Sequence, residues 1–225
     1  MTWSAFSKTK FFDLIMAAPL IVWFGYNAYK VRPALVQDAA AMVTGQADLL
    51  TILQFCALFA SVTFDLLLVW LLIARSMPVK KANGIVPRLC GFAGTFLGVA
   101  TLQLKVVALS LPWQALADIL VLGGNLASAL VLSRLGKAFS IMPEARLLVT
   151  GGPYAFARHP LYAVEMITMI GIAIQFQQPW AALIAAGVIV LQVTRSVFEE
   201  RVLVEAYPEY EAYRARTARF IPGVL

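Results

Sequence analysis

Residues 161–197 read LYAVEMITMIGIAIQFQQPWAALIAAGVIVLQVTRSV, and this stretch decides the fold. A Gln-Gln-Pro turn separates two apolar runs, 161–176 and 179–197, both short compared with the roughly 20 residues of a membrane-spanning α-helix. We interpret the pair as a tight helical hairpin. Because a hairpin returns the chain to the side from which it started, the residues before 161 and after 197 are predicted to share one face of the membrane.

The whole chain has the composition of a membrane protein. Of its 225 residues, 61% are hydrophobic and 13% are charged, whereas a soluble domain is about 25% charged. Four further apolar segments, 11–29, 49–74, 89–109 and 113–133, precede the hairpin. We therefore predict an all-α, multi-pass integral membrane protein with about six transmembrane helices. One histidine and two cysteines do not supply a zinc site or a disulfide framework, so no metal is expected.

The basic residues predict the orientation. With both termini in the cytoplasm, all 18 Lys and Arg residues except Lys30, Arg32 and Lys105 lie on the inner side, as the positive-inside rule requires. The net charge of +6 is then attributed to orientation and headgroup contact rather than to nucleic acid. Segment 31–47 is predicted to lie outside and is a candidate interfacial helix. We treat residues 1–225 as a single membrane domain, with supporting transmembrane helices in 1–134 and a cofactor-binding catalytic region in 135–225.

Ionisable residues inside apolar segments are costly and therefore informative. Lys105 and Asp118 flank the turn between the third and fourth segments, so we predict an ion pair near the outer surface. Glu165 lies one helical turn into the fifth segment, close to the candidate site described next. A proton relay or a transporter would use the same residues, but the chain has no pair of interrupted spans of the transporter kind.

The segment before the hairpin, residues 147–162, is neither a span nor a simple connector. It reads LLVTGGPYAFARHPLY. Its glycines permit close approach of backbone N–H groups to a ligand, and Pro160 suits the first turn of a helix whose free N–H groups can bind an anion. Arg158 can bind a carboxylate through two hydrogen bonds, and His159 either donates to a ligand or fixes the loop. The alternative interpretation is a rigid interfacial loop that contacts lipid phosphate.

A second polar cluster follows the hairpin. Arg195 and Glu199 are four residues apart and share one helix face, and Glu200 lies beside them. The hairpin geometry predicts that this cluster meets the 147–162 loop. A carboxylate there can accept hydrogen bonds from ribose hydroxyls or from an ammonium group.

The two clusters together closely resemble the signature of the isoprenylcysteine carboxyl methyltransferase family, whose outline the phospholipid N-methyltransferases share. The resemblance covers about residues 135–222 and departs from the family pattern at Val164 and at Tyr207-Pro208. The matching residues are Gly152-Pro153-Tyr154, Arg158-His159-Pro160-Leu161-Tyr162, Glu199-Glu200, Tyr210, Tyr213 and Arg219-Phe220-Ile221-Pro222.

The resemblance implies a methyltransferase that uses S-adenosyl-L-methionine, with its active site on the cytoplasmic face. It implies that Arg158 binds the carboxylate of the cofactor and Glu200 another polar group of it. Arg195 or Glu199 would face the methyl acceptor, with Arg195 orienting a carboxylate and Glu165 or Glu199 taking the proton of an amine. The residues implied to shape the cofactor pocket are Gly152, Pro153, Tyr154, His159, Pro160 and Tyr162.

Three functions therefore stay open from the sequence. The first is methylation of a lipophilic carboxylate of the isoprenylcysteine type. The second is N-methylation of a phospholipid or another lipid amine, and the third is a non-catalytic membrane scaffold that binds lipid. All three functions imply contact with membrane lipids. The two methyltransferase functions also imply a lipophilic or prenylated acceptor that enters from the bilayer. No nucleic-acid partner is expected.

Overall fold

The computed structural model describes residues 9–223, and this part of the chain is mostly helical. Its α-helices are α1 Lys10–Val43, α2 Leu49–Ala74, α3 Val86–Phe96, α4 Leu111–Leu135, α5 Pro160–Ile174, α6 Trp180–Ala206 and α7 Tyr210–Arg216. A 3-10 helix, Leu97–Gln103, extends α3, and short 3-10 turns occupy Gly136–Ala138 and Gly152–Ala155. Two two-residue strands, β1 Lys80–Lys81 and β2 Glu144–Ala145, pair antiparallel. The helical content agrees with the predicted fold class.

Four helices are long and apolar enough to cross a membrane, namely α1, α2, α6 and α4 with its 3-10 extension. Helix α5 is apolar but has only 15 residues, which span about 22 Å of a hydrocarbon core roughly 30 Å thick. The third predicted span is divided between α3 and the 3-10 helix that follows it. The chain is thus an integral membrane protein by its helices. Six complete spans remain a prediction, as do the cytoplasmic termini, whose residues 1–8 and 224–225 lie outside the described part.

Helix α1 overturns the prediction for residues 31–47. That segment does not form a separate interfacial helix, because α1 continues without interruption to Val43 through Pro19 and Pro33. A proline removes one backbone donor, and a long helix tolerates this loss when the freed carbonyl is satisfied elsewhere. With 34 residues the helix is about 51 Å long. The more polar segment 31–43 is therefore the C-terminal continuation of the apolar part of α1.

The helices that carry the candidate site pack closely because glycines face their neighbours. Helix α4 lies against α5, and a Cβ atom at Gly124 would come within 2.0 Å of Thr168 Oγ1. A Cβ atom at Gly171 would come within 2.9 Å of the Ala117 carbonyl oxygen. Small residues permit such close approach between membrane helices. Because α5 packs in turn against α6, these three helices form the frame of the site.

The turn of the α5–α6 hairpin is anchored to the segment before α4. The backbone N–H of Gln177 donates to the Lys105 carbonyl at 2.9 Å. The predicted Lys105–Asp118 ion pair is wrong, since that pair is not among the ion pairs within residues 9–223. The Asp118 carboxylate instead accepts hydrogen bonds from the side-chain amides of Gln114, at 3.0 and 3.1 Å, and Gln175, at 3.3 Å. Uncharged donors therefore satisfy the Asp118 carboxylate. Lys105 takes part through its backbone carbonyl, which accepts the hydrogen bond from Gln177.

A buried ion network joins the first helices to the C-terminal half. Asp13 in α1 binds Arg75 at 3.0 Å and Arg146 at 2.9 Å, and Arg146 also binds Glu144 at 2.7 Å. All of these side chains are largely or fully buried, so the charges are paired rather than solvated. The network fixes the segment that leads from β2 into the 147–162 loop.

Candidate functional site

Backbone hydrogen bonds hold the loop before α5 in place. Gly152 has a φ of 63°, which favours glycine, and it opens the 3-10 turn that contains Pro153 and Tyr154. Arg158 and His159 donate their backbone N–H groups to the carbonyls of residues 218 and 219, at 2.8 and 2.9 Å. The loop and the C-terminal tail therefore run side by side up to Pro160, where α5 begins.

Glu200 is the centre of the contact between the two polar clusters. Its Oε1 atom lies 3.0 Å from Arg158 Nε and 3.2 Å from His159 Nε2. Its Oε2 atom lies 3.0 Å from Arg219 Nη2, and the carboxylate is 4% exposed. The hairpin thus brings the loop and the α6 cluster together, and Arg219 joins them. We call these four residues the Glu200 cluster.

Arg158 divides its guanidinium between this cluster and the tail. Its Nη1 atom donates to the carbonyl of Arg214 at 2.9 Å and to that of Thr217. Its Nη2 atom makes no hydrogen bond within residues 9–223. Arg158 therefore fixes the tail and still has a donor group for a ligand.

A second set of contacts surrounds Glu199, one residue earlier in α6. The Tyr162 hydroxyl donates to Glu199 Oε1, and Arg195 Nε donates to the same oxygen at 3.1 Å. Arg195 also donates to the Ser140 carbonyl at 3.1 Å. The His159 ring stacks on the Tyr162 ring at a centroid distance of 5.4 Å, which links this set to the Glu200 cluster. We call Tyr162, Arg195 and Glu199 the Glu199 cluster.

The loop, α6 and α7 enclose a first cavity of about 90 Å³. Of the residues that the sequence assigns to the cofactor, Tyr154, Arg158, His159 and Tyr162 line it, and Glu199 lines it too. The remaining four residues assigned to the cofactor are not part of its lining. They lie in the loop, at the start of α5 and in α6 around the cavity, and they are Gly152, Pro153, Pro160 and Glu200.

Two buried polar atoms at the first cavity have no hydrogen-bond partner in the part of the chain that the structure describes. They are Arg146 Nε and the Tyr210 hydroxyl oxygen. Both residues line the cavity and are about 1% exposed. Because an unpaired buried donor is costly, these atoms indicate where a polar ligand would bind.

The aromatic tail closes the first cavity. Tyr213 donates its hydroxyl hydrogen to the Tyr154 carbonyl at 2.5 Å. Burial raises the pKa of the Tyr213 hydroxyl to about 12 and raises the pKa of Tyr154 as well. Both phenols therefore stay protonated at neutral pH, and Tyr213 remains a donor. This contact attaches α7 to the loop.

A second cavity of about 180 Å³ lies among α1 to α6. Its lining is largely apolar and includes Phe24, Phe64 and Met169. Glu165 and Arg195, both assigned to the acceptor from the sequence, also line it. The Glu165 side chain is half-buried and accepts a hydrogen bond from the Gln192 amide at 2.6 Å. Glu165 lines the second cavity and not the first, whereas Tyr162 of the loop lines both.

The two cavities meet across a single layer of side chains. Phe139, Leu161 and Tyr162 line both of them. We call these three residues the dividing wall. Arg195 from the second cavity and Glu199 from the first bind each other beside this wall. Two compartments therefore adjoin at the side chain of Tyr162, the first with several charged residues in its lining and the second with a mostly apolar lining.

Sequence reasoning missed several residues at these cavities. Arg146 at the first cavity and Asn125, Ser128 and Gln192 at the second received no role, and Tyr210 was expected only to pack the tail helix onto the site. The available signal was an uncharged polar residue within an apolar run, as at Asn125 and Gln192. Arg146 carries no comparable signal, because its contacts involve residues far away in the chain.

Comparison with known proteins gives these cavities a family context. The model of the phospholipid methyltransferase family matches residues 112–210. This segment is similar to phospholipid methyltransferases. It contains nearly all of α4, the loop, α5 and α6, and it ends at Tyr210. It therefore includes the dividing wall, Glu199 and Glu200. The resemblance seen in the sequence is confirmed, and the phospholipid methyltransferase match implies a membrane methyltransferase.

Two curated relatives match a smaller part of the chain. The cobalt-zinc-cadmium resistance protein CzcN of Cupriavidus metallidurans is 33% identical over 76 residues, which cover 33% of this chain and 35% of that protein. The nickel-cobalt-cadmium resistance protein NccN of Alcaligenes xylosoxydans xylosoxydans is 36% identical over 78 residues, or 33% of this chain and 36% of that protein. The chain thus spans about a third of the length of these relatives.

Proposed function

We propose that this chain is a membrane methyltransferase that uses S-adenosyl-L-methionine and methylates a lipophilic acceptor. The observation that carries the proposal is the pair of cavities that meet at Phe139, Leu161 and Tyr162. Methyl transfer is an in-line displacement, so donor and acceptor must approach from opposite sides of one point and exclude water. Two cavities that adjoin across one layer of side chains bring donor and acceptor close, and transfer requires an opening in this layer through which the reacting atoms meet.

The residues of the first cavity fit this cofactor. Arg158 Nη2 is available to a carboxylate, and the unpaired Arg146 Nε and Tyr210 hydroxyl are further donors. Glu199 lines the cavity and provides negative charge for a cationic group, whereas Glu200 lies behind the lining and is paired with Arg158 and Arg219. When bound, the cofactor supplies an electrophilic methyl group. The residues of the chain bind and orient it, and they separate it from bulk water.

The acceptor is proposed to occupy the second cavity. That cavity has about twice the volume of the first, and its apolar lining suits a molecule that arrives from the bilayer. A carboxylate acceptor of the isoprenylcysteine type would be oriented by Arg195, whereas Glu165 or Glu199 would take the proton of a lipid amine. One set of contacts favours the amine. Arg195 is already hydrogen-bonded to Glu199 and Ser140, whereas the hydrogen-bond partner of Glu165 within the described residues is the uncharged Gln192 amide.

The proposal is tested by calorimetric titration of the purified protein with S-adenosylhomocysteine. We expect saturable binding to the wild type and a loss of at least tenfold in affinity for Arg158→Ala. Arg214→Ala is the matched control, because Arg214 is half-exposed and its side chain binds only Glu211 within the described residues. Methyl transfer from the radiolabelled cofactor to carboxylate and amine amphiphiles then separates the two acceptor classes.

Two outcomes would overturn parts of the proposal. Absence of binding to folded wild-type protein, in nanodiscs as well as in detergent, would leave the non-catalytic scaffold. Equal affinity in the wild type and Arg158→Ala would exclude Arg158 from the cofactor site. Because Arg158 also holds the tail, Arg158→Lys is measured in parallel to keep the charge near Glu200.

A further inference from the structure

The second cavity has a polar side within its apolar lining. Its members are Asn125, Ser128, Glu165, Thr168 and Gln192, which we call the polar wall. They come from the middle of α4, α5 and α6. A cavity built only for a hydrocarbon chain has no use for these side chains, because polar groups are costly at this depth.

Two atoms of the polar wall have no hydrogen-bond partner within residues 9–223. They are Ser128 Oγ and Gln192 Oε1, on residues that are 1% and 4% exposed. The other members are satisfied within the protein. Asn125 donates to Ser61 at 2.8 Å, and Thr168 donates to a carbonyl of its own helix at 3.1 Å.

The orientation of the Gln192 amide is determined by Glu165. The carboxylate of Glu165 accepts at 2.6 Å, so the Nε2 group of Gln192 faces it and Oε1 is left as an acceptor. A ligand group that satisfies Oε1 must therefore donate a hydrogen. A carboxylate has no such hydrogen at neutral pH, and the cation of this cavity, Arg195, is already bound to Glu199 and to the Ser140 carbonyl.

We propose that the molecule in the second cavity is an amphiphile whose inserted part carries an N–H or O–H group. This group donates to Gln192 Oε1, and the Ser128 hydroxyl provides a second partner. The inference deepens the proposed function, on which it rests, by giving the acceptor a chemical class. That class is a lipophilic amine or alcohol rather than a lipophilic carboxylate or a plain hydrocarbon.

The test compares two probes that differ in one hydrogen-bond donor. 1-Dodecanol and its methyl ether are titrated separately into the full-length protein in lipid nanodiscs without cofactor, and the rise in unfolding temperature gives an apparent affinity. We expect the alcohol to bind the wild type about fivefold more tightly than the ether, the effect of one net hydrogen bond. Comparing the ratio between variants removes the difference in partitioning of the probes into the bilayer.

Three variants make the test specific. Gln192→Met is expected to bring the ratio of affinities close to one, and Ser128→Ala is expected to lower it. Ser128→Ala should also raise the unfolding temperature of the ligand-free protein, since it removes a hydroxyl without a partner. Ser133→Ala is the control on the same helix, because its hydroxyl is exposed and bonds to the Leu130 carbonyl. It should leave the ratio unchanged.

Equal affinities of the two probes for the wild type would overturn the inference, and so would an undiminished ratio in both Ser128→Ala and Gln192→Met. Failure of the proposed function is a separate result, because S-adenosylhomocysteine binding is measured on its own. A protein that prefers the alcohol through Ser128 and Gln192 but binds no S-adenosylhomocysteine retains this ligand site without being a methyltransferase.

Discussion

The guanidinium carbon of Arg195 lies 4.8 Å from the centre of the Tyr162 ring. Both side chains also bind Glu199, so the ring is held by a cation at its face and by a carboxylate at its hydroxyl. Tyr162 lines both cavities. Tyr162, which separates the two cavities, is therefore held both at its ring face and at its hydroxyl.

The first prediction concerns this separation. Tyr162→Phe keeps the ring in the dividing wall but removes the hydrogen bond to Glu199. We expect kcat for methyl transfer to fall about tenfold, because the wall and Arg195 lose an anchor where alignment matters. The affinity for S-adenosylhomocysteine should change by less than about threefold.

Initial rates with radiolabelled cofactor and an acceptor from the amphiphile screen give kcat, and calorimetry gives the affinity. A parallel loss of both would mean that Tyr162 belongs to the cofactor pocket rather than to the wall. An unchanged kcat would show that the Tyr162 hydroxyl does not position the reacting groups.

The second prediction uses the unpaired hydroxyl of Tyr210. Tyr210→Phe should weaken S-adenosylhomocysteine binding about fivefold, because a donor at the first cavity is lost. It should not lower the stability of the free protein, since the hydroxyl has no partner within the described residues. Calorimetry and the unfolding temperature measure the two effects.

Tyr213→Phe is the matched comparison for Tyr210→Phe. Its hydroxyl binds the Tyr154 carbonyl, so its removal should lower the free energy of unfolding by about 1 kcal/mol. If Tyr210→Phe lost stability and kept its affinity, the unpaired hydroxyl would be a structural feature and not a ligand contact.

Local patterns in the sequence predicted the centre of the site. The apolar runs on either side of Gln177 and Gln178 specify the α5–α6 hairpin, and a hairpin must return Glu200 to the side of Arg158. Their 3.0 Å contact follows from that geometry. Sequence spacing is informative here because the loop, the two helices and the turn between them follow one another directly in the chain.

Contacts between distant segments could not be predicted in the same way. Asp13 and Arg146 are 133 residues apart, and neither has a neighbour in sequence that reveals their pairing. The second cavity likewise draws on six helices, so it depends on their packing and not on one motif. The length of α1 was misjudged because Lys30, Arg32 and Pro33 indicate an end that the helix does not have.

The third prediction concerns the buried network. Asp13→Asn leaves Arg75 and Arg146 without their shared carboxylate, and both guanidinium groups are largely buried. Breaking a buried ion pair on one side costs roughly 3–5 kcal/mol, so we expect a markedly lower unfolding temperature. Glu211→Gln, which breaks an exposed pair with Arg214, is the control and should cost less than about 1 kcal/mol. Equal effects of the two substitutions would contradict a structural role for the network.

The fourth prediction tests the close packing of α4 on α5. A Cβ atom at Gly124 would lie 2.0 Å from Thr168 Oγ1 and 3.2 Å from the Thr168 Cα atom, so the helices must separate to accept it. Gly124→Ala should therefore cost about 1–3 kcal/mol and also weaken ligand binding in the second cavity, which Thr168 lines. Gly123→Ala is the control, because nothing lies within 4 Å of the added atom and alanine favours the helix. Unfolding temperatures and 1-dodecanol titrations of both variants in nanodiscs make the comparison, and a Gly124→Ala protein as stable as Gly123→Ala would show that α4 and α5 are not in close contact at Thr168.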